Sequence, residues 1–316
     1  MNTLKNYHIK ILLFLIIILL MGILAFVFYQ EKSSFQMDNL EQLALIGNKP
    51  IIIAGGNLFK YENETWTNLG IEGTYQLIVS GENLCALSSE GQIYYDGNRI
   101  IDDSLPLTSQ YNSYMANLAL KKNEKMPFTY INQNLDYLGF CAILDNGHLL
   151  YQGADEYLEY SINEDAPMFI SGSYILSEKG NIYILEYGEV DESTGEAPVN
   201  IKKIYDQGDI ISISADVTSN RCIGITNIGN VISWGGNEPL DISQWEEIKS
   251  VSQGFNYAIG LREDGKVLYV DGDKANSAII NQRLEKWTNI SLIATYNDSI
   301  CAVKSDGTYV SIMLTN

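Results

Sequence analysis

Seven turn glycines, Gly56, Gly91, Gly147, Gly180, Gly229, Gly265 and Gly307, recur along this chain in a fixed frame of neighbours. Two places after them stand Leu58, Ile93, Leu149, Ile182, Val231, Val267 and Tyr309, all apolar. Four places before the last six stand Leu87, Ile143, Leu176, Ile225, Leu261 and Val303, all aliphatic. Five places before them stand Ala86, Ala142, Ile175, Gly224, Gly260 and Ala302, small in five of six. Glycine supplies the positive φ of a tight hairpin turn at no steric cost. The apolar places are then strand positions that must be buried, and the small residues mark a strand crowded on its second face. Each frame reads as a hairpin packed on both sides, and several close on a further glycine, Gly97, Gly153, Gly188, Gly235 or Gly272.

Successive glycines are 35, 56, 33, 49, 36 and 42 residues apart. A fixed hairpin at irregular spacing means constant geometry with variable loops, and periods of this size belong to propellers, solenoids or arrays. No sustained apolar period of 3.6 follows residue 48, which argues against helical repeats. Tyrosine (21) outnumbers phenylalanine (9) and tryptophan (4), a balance suited to strands. Segments such as 245–254 and 287–296 supply a further strand upstream of each hairpin. Seven small sheets closed radially bury both faces of each sheet and leave short edges, so the expected fold is all-β, a seven-bladed β-propeller. The last unit stops at "GTYVSIMLTN" and looks one outer strand short. The stretch 40–56 is the expected donor, closing the ring by pairing the two ends of the chain.

Trp245, Ile248, Val251 and Gly254, followed by "AIGLREDGKV", resemble the repeat of the regulator of chromosome condensation (RCC1) family. So does "CIGITNIGNVISWGGN" (222–237), in which Trp234-Gly235-x-Asn237 matches that family's strand end. The short blades resemble its bacterial members, and the likeness runs over about residues 40–316. Where the family continues with Gly-Gln-Leu-Gly, this chain has "EPLD", so the resemblance implies the propeller fold and no particular family activity.

Before the repeats, Ile11–Phe28 contains no charged or polar side chain. A run of this length suffices for a membrane-crossing helix, which needs roughly 20 residues, and exceeds the ~7–15 apolar residues of a cleaved signal. Its exit, "AFVFYQEK", is a poor cleavage site. Lys5 and Lys10 precede it, which places the amino terminus in the cytoplasm and the remainder outside. The expected organisation is a cytoplasmic stub and signal-anchor helix over 1–32 and an external propeller over 33–316.

Residues 33–316 hold 17 basic and 38 acidic residues, a net charge of −21. Such a domain repels phosphate backbones, which argues against nucleic acid as a partner. Cys85, Cys141 and Cys301 stand six places before a turn glycine and Cys222 seven before. Equivalent slots in separate blades should not meet within the ~4.4–6.8 Å Cα separation of a disulfide, so four reduced, buried cysteines are expected. With no Cys-x-x-Cys and only His148 outside the first segment, neither a zinc site nor a Ser-His-Asp or Cys-His mechanism is supported. The acidic groups Asp155, Glu156, Glu159 and Glu189, Asp191, Glu192 lie in polar segments rather than in the buried pair that glycosidase chemistry requires. "DGDKAN" (271–276) opens like a calcium loop without the later carboxylate. No cofactor is expected.

The longest interval carries the insert 102–127, with Tyr111, Tyr114 and a rare basic cluster, Lys121, Lys122 and Lys125. Long loops on rigid scaffolds carry recognition, and tyrosine is enriched at binding hot spots. These five residues are the sequence's candidates for partner binding. The reading is a membrane-anchored, extracytoplasmic propeller that binds a protein or envelope polymer and is not an enzyme. The alternative is a cell-surface enzyme acting on envelope glycans through loop carboxylates.

Overall fold

A computed structural model of the protein describes residues 39–46, 49–79, 84–95, 128–134, 139–152, 157–162, 165–188, 199–216, 220–236, 240–272, 274–296 and 298–314. Seven antiparallel sheets follow one another in chain order, each a meander of neighbouring strands. The first comprises β1 (Leu40–Ile46), β2 (Lys49–Ala54), β3 (Asn57–Glu62) and β4 (Thr65–Asn68); the second β5 (Tyr75–Val79), β6 (Cys85–Ser88) and β7 (Ile93–Tyr95). The third is β8 (Phe128–Asn134), β9 (Gly139–Leu144), β10 (Leu149–Gln152) and β11 (Tyr157–Tyr160); the fourth β12 (Pro167–Ser171), β13 (Tyr174–Ser177), β14 (Ile182–Tyr187) and β15 (Val199–Tyr205). The fifth is β16 (Ile210–Asp216), β17 (Arg221–Thr226) and β18 (Val231–Gly235); the sixth β19 (Ile248–Gly254), β20 (Tyr257–Arg262) and β21 (Val267–Asp271), followed by helix α1 (Lys274–Leu284). The seventh is β22 (Ile290–Tyr296), β23 (Ser299–Lys304) and β24 (Tyr309–Met313).

The first strands of successive sheets, β1, β5, β8, β12, β16, β19 and β22, pack side by side, and β22 packs against β1, so the seven blades form a closed ring. The frame read from the sequence is the register of the second hairpin. Leu87 pairs with Ile93, Ile143 with Leu149, Leu176 with Ile182, Ile225 with Val231, Leu261 with Val267 and Val303 with Tyr309. The aliphatic member of every pair is buried. The small residues one place earlier have a direct cause in blades five and six. A Cβ on Gly224 would fall 2.8 Å from the Trp234 ring, and one on Gly260 the same distance from Trp245.

In the last six blades the turn glycine has φ between 76 and 83°. In each of them its N–H donates to the carbonyl three residues back, as Gly265 N does to Arg262 O at 3.0 Å, and a second bond closes behind it, as Arg262 N does on Lys266 O at 2.9 Å. This is a type I turn ending in a glycine bulge. The first blade instead turns on Gly55 and Gly56, both at positive φ, and pairs Ile53 with Leu58. Its hairpin is shorter, so the residue paired with Leu58 stands three places before the glycine instead of four.

A second regularity lies in the first strands. All seven carry one β-bulge at the same place, immediately after the first paired residue. Neighbouring blades are laced through these strands. Ser171 Oγ accepts from Ala215 N at 2.8 Å, Ser214 Oγ from Gln253 N at 2.9 Å, and Ser252 Oγ from Thr295 N at 3.1 Å. On one face of the ring the carbonyl of a turn glycine accepts from the next first strand: Gly56 O from Tyr75 N, Gly180 O from Ile210 N, Gly229 O from Ile248 N and Gly265 O from Ile290 N. We refer to this as the turn face.

The expected closure by strand donation is not what forms. Residues 40–54 are the first two strands of blade one, and the seventh sheet has three strands of its own. Among the described residues no strand of blade one pairs into the seventh sheet. At the seam Gly307 O accepts from Trp66 Nε1 at 2.7 Å, in place of the backbone donor used at four other junctions. Tyr61, Trp66 and Tyr309 cluster there, with ring centroids 4.8–6.3 Å apart.

Helix α1 is an element that the apolar periodicity missed. It follows β21 where other blades place a fourth strand, and its Asn281 side chain takes over the pairing. Asn281 Oδ1 accepts from Tyr269 N at 2.9 Å and Nδ2 donates to Tyr269 O at 2.8 Å. Ile280 and Leu284 fill the core beneath it, with Trp287 just beyond. Of the "DGDKAN" stretch, Asp271 ends β21 and Lys274–Asn276 begin the helix. Asp271 accepts from Tyr269 Oη (2.8 Å), Asn276 Nδ2 (2.6 Å) and Ser277 Oγ (2.7 Å).

The apolar run 11–28 lies outside the described residues. Among the described residues no helix is long and apolar enough to cross a membrane.

Candidate binding face

The seven-fold repeat provides its own control for surface residues, because equivalent positions share one environment. The skipped residue of the first-strand bulge is Glu41, Gln76, Thr129, Met168, Ile211, Lys249 or Ser291 in successive blades. Five of these are polar. The exceptions, Met168 and Ile211, stand in neighbouring blades and are 44% and 54% exposed. The residue before the turn glycine varies in the same way: Glu90, Asn146, Lys179, Ile228, Asp264 and Asp306 in the six bulged turns. The apolar exception again falls in blade five, and Ile228 is 74% exposed.

Both positions belong to the turn face. The bulges lie at the starts of the first strands; in blades two, five, six and seven those starts donate to the turn of the preceding blade, and in blade four Glu178 N of the turn donates to Ala166 O just before β12. Within blade five the Ile228 turn is tied to the start of β16 by Asn227 N donating to Asp209 O at 2.8 Å. Single exposed apolar residues need no explanation. Here three stand at two repeat-equivalent sites of adjacent blades on one face of the ring, and apolar side chains exposed on one face mark interaction surfaces. On the opposite face the exposed apolar residues are Phe255, in the first turn of blade six, and Met313, at the end of β24.

The turns of this face are mostly acidic around the ring. Of the two residues preceding each of the six turn glycines, six in twelve are Glu or Asp and one is lysine. Glu247 adjoins the Ile228 turn, its Cα lying 3.3 Å from where a Cβ on Gly229 would stand. Asp209 accepts from Tyr205 Oη at 2.7 Å, and burial, then this carboxylate, pushes the Tyr205 phenol up to about 12. Asp306 is held below the usual carboxylate range by its hydrogen bonds to Thr308. Two cations of blade six are engaged locally: Arg262 lies 3.2 Å from Glu247 and 3.5 Å from Asp264, and Lys266 3.7 Å from Asp264.

Tyr111, Tyr114, Lys121, Lys122 and Lys125 lie outside the described residues, as do Asp155, Glu156, Glu189, Asp191 and Glu192. Glu159 faces His148 Nδ1 at 3.6 Å across two half-exposed side chains. Cys85, Cys141, Cys222 and Cys301 are buried and free. Burial drives all four thiols upward, Cys141 to about 12 and Cys301 to about 11, a setting that disfavours the thiolate. Among the described residues no three His, Cys, Asp or Glu converge as a metal site.

Met168, Ile211 and Ile228 were not singled out from the sequence. Ile228 carried a readable signal, being the apolar residue in a turn position that is otherwise polar. Met168 and Ile211 did not, because the bulge frame shows itself only once the first strands are paired.

No protein-family model matches the chain, and no curated protein matches it by sequence. Among solved structures it is similar to yeast RCC1 (Prp20), in a crystal structure with Kap60 bound, at 13% identity and TM-score 0.53, over 89% of this chain and 81% of that one. Other similar structures are the CRINKLY WD40 ectodomain of the Arabidopsis thaliana receptor kinase ACR4 (14%, TM-score 0.48, 87% and 96%) and BamB of Moraxella catarrhalis (12%, 0.39, 87% and 83%). At 13% identity the likeness to yeast RCC1 shows the fold alone, a β-propeller.

Proposed function

We propose that this chain is a membrane-anchored propeller of RCC1-like repeat type that binds a protein partner outside the cytoplasm through the turn face of blades four and five. The observation that carries the reading is the apolar departure at Met168, Ile211 and Ile228 from positions that are polar in the other blades. Side chains that the repeat keeps polar elsewhere are kept apolar here, and a partner that removes them from water is their physical use. The structurally similar yeast RCC1 was crystallised with a protein, Kap60, bound. Catalysis has no such support: burial disfavours the thiolates, and Asp264, Asp306 and Glu247 serve as turn caps and ion pairs. The anchoring rests on the apolar run 11–28 and the lysines before it.

The test is a pull-down from the source cell's envelope with the full chain and with the triple variant Met168→Ser, Ile211→Ser, Ile228→Ser. The variant is expected to melt as the parent does and to lose the captured protein. A variant that folds and retains every captured protein places the binding surface elsewhere, and the insert residues Tyr111, Tyr114, Lys121, Lys122 and Lys125 are then the next to replace.

A further inference from the structure

We infer that the occupant of this face is a basic polypeptide segment with apolar anchor residues, which rests on the reading of the turn face as a protein-binding surface. Two features of one face set this chemistry. Met168, Ile211 and Ile228 ask for apolar side chains. The turns of this face ask for cations: Asp209 lies at the base of the Ile228 turn, Glu247 beside Gly229, with Glu246 next to it, and the turn tips around the ring are acidic six times in twelve. Lys179 and Lys249 are the local exceptions, and Lys249 occupies the bulge position of the blade next to Ile211. The whole outer domain, with 38 acidic against 17 basic residues, adds a long-range field of the same sign.

A second copy of this chain would bring like charge to like charge and is disfavoured as the occupant. An anionic envelope polymer is disfavoured for the same reason. A purely basic segment would satisfy the acidic turns and leave the three apolar side chains in water. A segment alternating basic and apolar residues meets both demands, with the apolar residues supplying residence time and the charges supplying encounter rate and sign discrimination.

The experiment uses the full chain in non-ionic detergent and three fluorescent twelve-residue peptides, alternating Lys-Leu, Lys-Ser and Glu-Leu, read by anisotropy. The Lys-Leu peptide is expected to bind roughly tenfold or more tightly than Lys-Ser, and Glu-Leu not to bind. Ile211→Ser with Ile228→Ser should erase the difference between Lys-Leu and Lys-Ser and leave Lys-Ser unchanged. Glu246→Lys with Glu247→Lys should weaken both basic peptides, and the parent's affinity should fall as salt rises. Equal binding of Glu-Leu and Lys-Leu, or a Lys-Leu affinity indifferent to the isoleucine pair, overturns the inference. If the triple serine variant loses its envelope partner while the parent ignores all three peptides, the binding face stands and the partner class is wrong. If the variant keeps its partner and the peptides discriminate nothing, both readings fall.

Discussion

Six bulged turns solve one local problem in two ways. The N–H of the residue after the glycine needs an acceptor. Asn146, Asp264 and Asp306, standing before the glycine, provide it to His148, Lys266 and Thr308 at 2.9–3.1 Å. In the other three turns Ser88, Ser177 and Thr226, at the start of the turn, provide it to Gln92, Asn181 and Asn230 at 3.0–3.1 Å. Either cap satisfies the group, so only the glycine recurs in every copy. The turn between β3 and β4 holds Asn63 and Glu64, both at positive φ, and Glu64 gains nothing from a conformation that glycine adopts freely. Glu64→Gly is expected to raise stability by about 0.5–1 kcal/mol in urea unfolding; a decrease would mean the carboxylate has a structural role. The buried thiols and Tyr174 set the alkaline limit. Their folded pKa values lie above the unfolded ones, with Cys301 at about 11 and Cys141 and Tyr174 at about 12. The unfolded chain therefore releases protons first, from about pH 8.5. Stability is full below that pH and falls from there toward pH 12. Unfolding free energies measured from pH 7 to 11 should decline, and a thiol reagent should find four thiols after denaturation and react slowly before it. Stability that stays level through pH 11 would show that the thiols are reached by water in the native state.

At the scale of elements the informative case is α1. A sheet edge needs its outward N–H and C=O groups satisfied, which a fourth strand does by backbone pairing. Here a carboxamide does it, Asn281 holding both backbone groups of Tyr269. Asn281→Leu keeps side-chain size and helix propensity but strands both groups. It is expected to cost about 1–3 kcal/mol, whereas Ile279→Gln, on the exposed side of the same helix, should leave urea unfolding unchanged; equal effects would show that helix packing, not edge pairing, is what Asn281 supplies. Nothing in "KANSAIINQRL" announces this, since two buried residues, Ile280 and Leu284, make too short an apolar period to stand out. The hairpins were legible because their signal is a pair of buried positions around a glycine, repeated in register. The first-strand bulge was not, because its residue points outward and is free to vary. That same freedom is why the candidate face, built from bulge and turn-tip residues, stayed hidden while the core could be read.

For the whole molecule, two arrangements follow from how the chain is laid out. If residues 11–28 anchor it with the propeller outside, protease added to intact protoplasts should remove the ring and leave a small membrane stub; protection of the ring would reverse the topology. The ring itself raises the question of what holds its ends. In a propeller whose last blade borrows a strand from the other terminus, the seam is covalently continuous with both neighbours. Here blades one and seven meet as separately completed sheets, and β1 packs on β22 without pairing to it. The repeat leaves Gly307 O facing a neighbour at the same place where Gly56 O, Gly180 O, Gly229 O and Gly265 O receive a backbone N–H, and Trp66 Nε1 takes that role through its indole. Trp66 is 7% exposed, so the carbonyl it serves has little access to water when the indole is gone. Trp66→Phe preserves an aromatic ring against Tyr61 and Tyr309 and removes the donor alone. It is expected to destabilise the ring by about 1–3 kcal/mol, and Trp66→Ala, which also empties the cluster, by about 3–5 kcal/mol. Both should act on one cooperative transition, because an opened seam exposes the first strands of both blades at once. If Trp66→Phe melts with the parent while Trp66→Ala does not, packing alone holds the seam. If both melt with the parent, the two ends of the chain are held by contacts other than these.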